Sequence, residues 1–335
     1  MGRKVTAADV AREAGVSAAT VDRVLNNRGG VSTDKERRVI GAAKRLKLDR
    51  ALDLRAARTL RVAAILQSPQ NPFHATVGQA FAEQNRGVNP FNIQTRVYVG
   101  DPAKPEQLQR IIQCAMATHD AIITCLPDDG PIAADLDRYA DTGRPVIALA
   151  ADIRAEKAIY VGPDDYAGGR IAGDLLGRFL GPSGGEIMLI GGLWSMIGQA
   201  QRRRGFEDVL VARHLRCNVV HVAESRESGD RAGELAARAL RDHPNIAGIY
   251  NASAGGVKVA QAIERAGRSD LVYITHEFSD QRRTLLKVGQ IDALLDQEPA
   301  TEVGIALSVI AHHYGRLETL VDTKTPIRVH FRETC

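Results

Sequence analysis

The sequence predicts an all-α helix-turn-helix head joined to a two-lobed α/β body with parallel sheets. Three observations predict it. Residues 5–31 (VTAADVAREAGVSAATVDRVLNNRGGV) carry two short helical stripes separated by a glycine turn. After Arg61, short apolar runs alternate with amphipathic stretches. Charge divides at the same place. Residues 1–61 hold 15 Lys/Arg against 7 Asp/Glu, a net of +8, whereas residues 62–335 hold 29 against 33, a net of −4.

The first helix is expected from about Ala7. Thr6 with Asp9 three residues on is a capping box, and Val10, Ala11 and Ala14 recur at helical spacing. Gly15 tolerates positive φ and stops the helix. Val16 pins the turn, and the Ser17 hydroxyl caps a second helix from Ala18 to about Asn26. Val21, Val24 and Leu25 are its buried stripe, while Ala18, Ala19, Asp22, Arg23 and Asn26 face out. Small outward residues with one Arg suit docking into the major groove of double-stranded DNA. The Arg23 guanidinium matches guanine O6/N7, with a phosphate contact as the alternative. Asp22 either accepts from cytosine N4 or pairs with a nearby Arg. The DNA-facing set is Thr6, Ser17, Ala18, Ala19, Thr20, Asp22, Arg23, Asn26 and Arg28. A third helix follows Ser32, with Thr33 and Glu36 read as another capping box and Val39, Ile40, Ala43 and Leu46 as its stripe. The net positive head is the charge pattern that neutralises phosphates.

Residues 1–48 thus form the head, 49–61 a linker and 62–335 the body. Strands are expected at 62–66, 93–99, 121–125 and 146–150, with helices at 74–85, 105–118 and 132–141 between them. The pattern restarts with a helix at 166–180. Strands at 186–190, 218–223, 247–250, 272–276 and 293–296 then alternate with helices at 199–213, 230–242, 257–266, 282–288 and 301–314. Such alternation builds a mostly parallel sheet covered on both faces, here twice over.

Composition narrows the function. No run of 18 apolar residues occurs, so no membrane helix is expected. The opening MGRKVTAAD has no apolar h-region, which points to a cytoplasmic chain. Cys114, Cys125, Cys217 and Cys335 show no C-x-x-C pattern and read as free thiols. No H-E-x-x-H, P-loop or metal spacing appears, and Gly181-Pro182-Ser183-Gly184-Gly185 reads as a turn before a strand, so catalysis, a metal and a cofactor are not expected. His312 and His313 are sequential, do not face one ligand from a helix, and read as solvated.

The pieces Val5-Thr6, Asp9-Val10-Ala11, Ala14-Gly15-Val16-Ser17, Thr20-Val21, Arg23-Val24-Leu25-Asn26 and Val31-Ser32 closely resemble the N-terminus of the lac repressor/galactose repressor family. Asp22 departs from the Ser usual there. The resemblance implies a sequence-specific transcription regulator, acting as a homodimer on a pseudo-palindromic operator and gated by a small ligand. It also implies a hinge helix that wedges a Leu into the minor groove, with Leu52 and Leu54 as candidates. The linker here is about three residues shorter and lacks the usual Pro, and a plain connector is the equal alternative.

The body resembles a periplasmic sugar-binding fold, which implies three crossings between lobes, near 161–164, 297–300 and 319–321. Lobe one is then about 62–162 with 298–320, and lobe two 163–297 with 321–335. Asn71-Pro72-Phe73 is similar to the NPF turn of ribose-type binding proteins, whose ring stacks on a sugar; a buried loop ring is the alternative. Arg202 fits the pattern of Arg, two residues, Gly and an aromatic, which implies a donor to hydroxyls or a carboxylate. Asp152, Asn251 and Glu277 follow strands at the cleft, Glu277 standing where Asp is usual, and Gln297 lies at a crossing. Trp194 is either a sugar platform or a core residue. Glu224 falls where some relatives carry an aromatic. The set favours a small hydroxyl-rich effector: a sugar, sugar acid or polyol. A sugar-transport component would need a signal peptide and no DNA head. An α/β enzyme with a basic arm is the third reading.

Overall fold

The computed structural model describes residues 5–26, 28, 30–46, 48, 58–86, 89–102, 104–127 and 130–335. The head holds α1 (Ala7–Ala14), α2 (Ala18–Leu25) and α3 (Thr33–Arg45). The expected caps form: Thr6 and Asp9 bond reciprocally, Gly15 ends α1 at φ 60°, and Ser17 Oγ accepts from Thr20 N. Val10, Val21, Val39 and Ala43 meet in one small core. The second capping box does not form. Helix α3 starts after Ser32, which makes no side-chain cap bond. Glu36 lies on the same helical stripe as Val39, Ile40 and Ala43, so it is buried and turned toward the body.

The body has two six-stranded sheets. Lobe one runs β1 (Leu60–Leu66), α4 (Pro72–Arg86), β2 (Ile93–Val99), α5 (Pro105–Thr118), β3 (Ala121–Thr124), α6 (Gly130–Asp141), β4 (Val146–Leu149) and β5 (Ile159–Pro163). Lobe two follows with α7 (Asp165–Leu180), β6 (Gly185–Gly191), α8 (Ile197–Arg213), β7 (Cys217–Glu224), α9 (Gly229–Asp242), β8 (Ile246–Asn251), α10 (Gly256–Arg265), β9 (Val272–His276), α11 (Asp280–Val288) and β10 (Ala293–Asp296). Helix α12 (Pro299–His313) then returns to pack on α4, and β11 (Lys324–Thr325) and β12 (Arg328–His330) follow. The sheet orders are β11-β5-β4-β3-β1-β2 and β12-β10-β9-β8-β6-β7.

Period-two side-chain alternation explains the apolar runs. Along β1, Val62, Ala64 and Leu66 enter one core while Ala63 and Ile65 enter the other, beneath the opposite helix layer. Met188 and Ile190 alternate with Ile187 and Leu189 in the same way on β6.

One expectation needs correction. The chain crosses between lobes at 163–165, 297–298 and 326–327. The third crossing is not at 319–321, because Lys324 and Thr325 pair with Gly162 and Pro163 in the first sheet. Lobe one therefore extends to residue 325. The second sheet is mostly parallel, as expected, with β12 pairing antiparallel to β10 at its edge.

Helices α7 and α8 touch backbone to backbone through glycines. A Cβ at Gly169 would stand 1.9 Å from the Arg202 carbonyl oxygen, and one at Gly205 2.0 Å from that of Tyr166. Gly205→Ala is expected to cost about 1–3 kcal/mol of stability by overpacking, read as a lower thermal midpoint. It should also push away the turn of α8 that carries Arg202.

Candidate nucleic-acid interface and ligand cleft

On the head, Ser17, Ala18, Ala19, Arg23 and Asn26 are exposed along one side of α2. Arg23 makes no hydrogen bond or ion pair among the described residues, so its fork is available to an external acceptor. Asp22 accepts from Asn26 Nδ2 at 2.5 Å and from Arg28 Nη1 at 2.7 Å. Its carboxylate thus orders two neighbouring donors, which is the Arg-pairing alternative. Ser17 and Thr20 share a hydroxyl bond at 2.9 Å beside them. Leu52 and Leu54 lie outside the described residues.

The head is tied to lobe one through α3. Glu36 Oε1 is 3.7 Å from Arg316 Nη2, and Glu36 Oε2 is 3.7 Å from Arg58 Nε. Arg58 Nη1 also donates to Asp120 Oδ1 at 2.8 Å. Arg37 Nε donates to the His313 carbonyl at 2.7 Å, and Lys44 Nζ to that of Arg316 at 3.1 Å. Cations of α3 thereby meet carbonyls at the C-terminal end of α12, where the helix dipole favours positive charge. Gly315, at φ 70°, lets Arg37 approach; a Cβ there would stand 2.9 Å from Arg37 Cγ. His312 and His313 are not solvated as expected. Their rings bond the carbonyls of Leu317 (3.1 Å) and Gly143 (2.9 Å), because this junction is packed.

In the cleft, the Arg202 side chain is 12% exposed and donates through each of its three nitrogens. Its Nε donates to Asp165 Oδ1 at 2.6 Å, Nη1 to the Ala252 carbonyl at 3.0 Å and Nη2 to Gln297 Oε1 at 3.4 Å. Asn251 is fully buried beneath, donating to the Ala254 carbonyl and Thr275 Oγ1, and its Oδ1 has no partner among the described residues. Glu277 stands at φ 68°, 3.1 Å from Arg282, and burial raises its pKa. Glu302, at the start of α12, is wholly buried within electrostatic reach of Asp165 and Arg202, and burial holds its carboxyl well above the usual range. Asp152 is half-buried and accepts from Ile153 N at 3.0 Å. Asn71 bridges the lobes: its Nδ2 donates to Glu227 Oε2 at 3.4 Å, while its Oδ1 accepts from Phe73 N.

Of the two aromatic residues, Phe73 takes its buried alternative and Trp194 is half-buried. Phe73 begins the buried stripe of α4, so its ring lies in the lobe-one core with Val77 and Phe81. Trp194 packs on the lobe-two core over Gly191, with the Arg203 guanidinium 5.5 Å from its ring centroid. The sequence reading missed Asp165, Gln199, Glu227, Ser253 and Glu302. Asp165 left a trace, for in the pair Asp164-Asp165 only one residue can cap α7. Asp164 does so, accepting from Ala167 N, which leaves Asp165 for Arg202.

His74, beside Phe73, is buried with Nδ1 unpartnered among the described residues, and burial pushes its pKa down to about 4. The folded chain therefore holds the neutral ring, while the unfolded ring protonates near 6.5. Stability is expected to be fully present above pH 6.5 and to fall as pH drops toward 4, by about 3 kcal/mol in total from this group. Thermal midpoints across that range should decline, and His74→Phe should flatten part of the decline.

Residues 62–316 match the periplasmic binding protein domain, and residues 6–48 match the bacterial regulatory proteins of the lacI family. The maltose regulon regulatory protein MalI of Escherichia coli is 27% identical over 324 residues, covering 91% of each chain. The D-ribose/D-allose-binding protein of Pseudomonas aeruginosa is 23% identical over 287 residues, covering 80% of this chain and 88% of that one. GanP, a glucose-galactose binding protein from Geobacillus stearothermophilus of known structure, superposes with a TM-score of 0.74 at 23% identity, covering 82% of this chain and 98% of that one. Fold and sites together define a bilobed ligand-receptor body fused to a DNA-reading head. The body belongs to the periplasmic binding protein domain family and the head is a domain of the lacI family of bacterial regulatory proteins, so the chain is a DNA-binding transcription regulator.

Proposed function

We propose that the chain is a cytoplasmic homodimeric repressor whose grip on a pseudo-palindromic operator is set by a small hydroxyl-rich ligand held between the lobes. The observation that carries this reading is the course of α12. Its first turn places Glu302 within electrostatic reach of the Arg202–Asp165 pair, and its last residue His313 together with Arg316 just beyond holds the Arg37, Lys44 and Glu36 contacts of the head. Fifteen helical residues span about 22 Å, so one rigid rod joins sensor to reader. A ligand that prefers one lobe arrangement shifts the population of head positions. The relatives named for ribose, allose, glucose and galactose support the ligand class. Turnover of the ligand is not part of this function.

Fluorescence anisotropy on upstream palindromic DNA tests the proposal. A ligand found by a thermal-shift screen of sugars and polyols should change operator affinity by about 5- to 150-fold. Binding that is salt-sensitive but blind to sequence and ligand would count against it. Sedimentation of the free protein tests the dimer.

A further inference from the structure

Glu227 lies in the cleft between the lobes and lines two of its cavities. It sits between β7 and α9 with its backbone at φ 59°, next to Arg226 at φ 53°. Non-glycine residues hold such angles where the surroundings enforce them. The loop drives the Glu227 side chain inward. Oε1 accepts from Ser253 Oγ at 2.9 Å and from Gln199 Nε2, and Oε2 accepts from Asn71 Nδ2. Gly192 makes the room, since a Cβ there would stand 1.8 Å from Glu227 Oε1.

These three donors are neutral. They are also cleft groups: Asn71 follows β1, Ser253 follows β8, and Gln199 stands one turn before Arg202 on α8. Two cavities, of about 690 and 410 Å³, open beside the Asn71–Glu227 contact. Their other buried or rim charges are largely matched. Asp101 pairs with Lys104, Asp230 with Lys258, Asp280 with Arg283 and Arg282 with Glu277; Arg226 is exposed at the rim. Glu227 makes no ion pair among the described residues. Arg202, the guanidinium expected to hold an acid, is already committed through Nε, Nη1 and Nη2. An anionic ligand would meet the Glu227 carboxylate where Arg202 and Arg282 are already paired with Asp165 and Glu277, whereas a charge-assisted bond from a ligand ammonium to Glu227 is favourable.

We propose that Glu227 is the specificity-determining residue of the cleft and that the effector carries an ammonium group, as in an aminated sugar or cyclitol. On entry its hydroxyls take the Asn71, Gln199 and Ser253 donors, and its ammonium becomes the counter-ion of Glu227. This rests on the reading of the cleft as the effector site.

Calorimetry on the full chain tests it with matched sets: glucose, glucosamine and glucuronate; galactose, galactosamine and galacturonate; myo-inositol and an amino-inositol. The amine should bind tightest within the set that binds, by about 10- to 100-fold over its neutral parent. Glu227→Gln should erase most of that preference. A uronate or neutral parent that binds the wild type as tightly as the amine overturns the proposal, as does a preference unchanged in Glu227→Gln. The wild-type ranking decides even if the variant does not fold. Failure of every set to bind overturns the cleft reading itself, and this proposal with it.

Discussion

Arg202→Ala is expected to abolish the response to the effector and to lower stability by about 3–5 kcal/mol. Arg202 is the only group that gathers Asp165, the Ala252 carbonyl and Gln297 at once. Its removal leaves Asp165, with a side chain only 7% exposed, as a buried charge without its cation. It also frees Gln297 at the second crossing, where the lobes hinge. A double variant separates the two effects. Arg202→Met with Asp165→Asn removes both charges, so most of the stability should return in thermal melts while effector affinity by calorimetry stays lost. Undiminished affinity in Arg202→Ala would remove Arg202 from the binding site.

Arg316→Met is expected to be comparably damaging, by about 3–5 kcal/mol, through a different route. The Arg316 side chain is wholly buried, and burial lowers its pKa to about 10. It donates to the carbonyls of Phe91 (2.6 Å), Asn92 (3.0 Å) and Arg58 (2.5 Å), and it faces Glu36. Methionine fills the volume but leaves those acceptors dry. Glu36→Gln keeps the three carbonyl bonds and weakens only the link to the head. The body should then melt as before, while amide hydrogen exchange in α3 speeds up. Equal exchange in Glu36→Gln and wild type would show that the link carries no weight.

Legibility followed the range of the interaction. The caps of α1 and α2 were readable because Thr6, Asp9 and Ser17 act within a turn. The strand–helix alternation was readable because the inner strands β1, β3, β4, β6, β8 and β9 are buried on both faces. The two- and three-residue strands β11 and β12 were not, since Lys324–Thr325 is a strand only by virtue of Gly162–Pro163, far away in sequence. Glu36 imitated a cap by spacing alone. Its place on the Val39–Ile40–Ala43 stripe was the available sign that a buried partner awaited it. In the cleft, Arg202 was legible through a compact pattern with Gly205, whose reason is the α7–α8 backbone contact. Glu227 had no such pattern, because its surroundings come from residues 71, 192, 199 and 253. Phe73 and Trp194 are rings at the ends of strands, and local sequence does not tell which way such a ring turns.

The late return of the chain to lobe one has a consequence for biosynthesis. The three head helices are contiguous and depend on near-neighbour contacts, so they can form as soon as they emerge from the ribosome. The first sheet cannot be completed until residue 325 has been made. A nascent chain therefore possesses its DNA reader well before it possesses a working sensor.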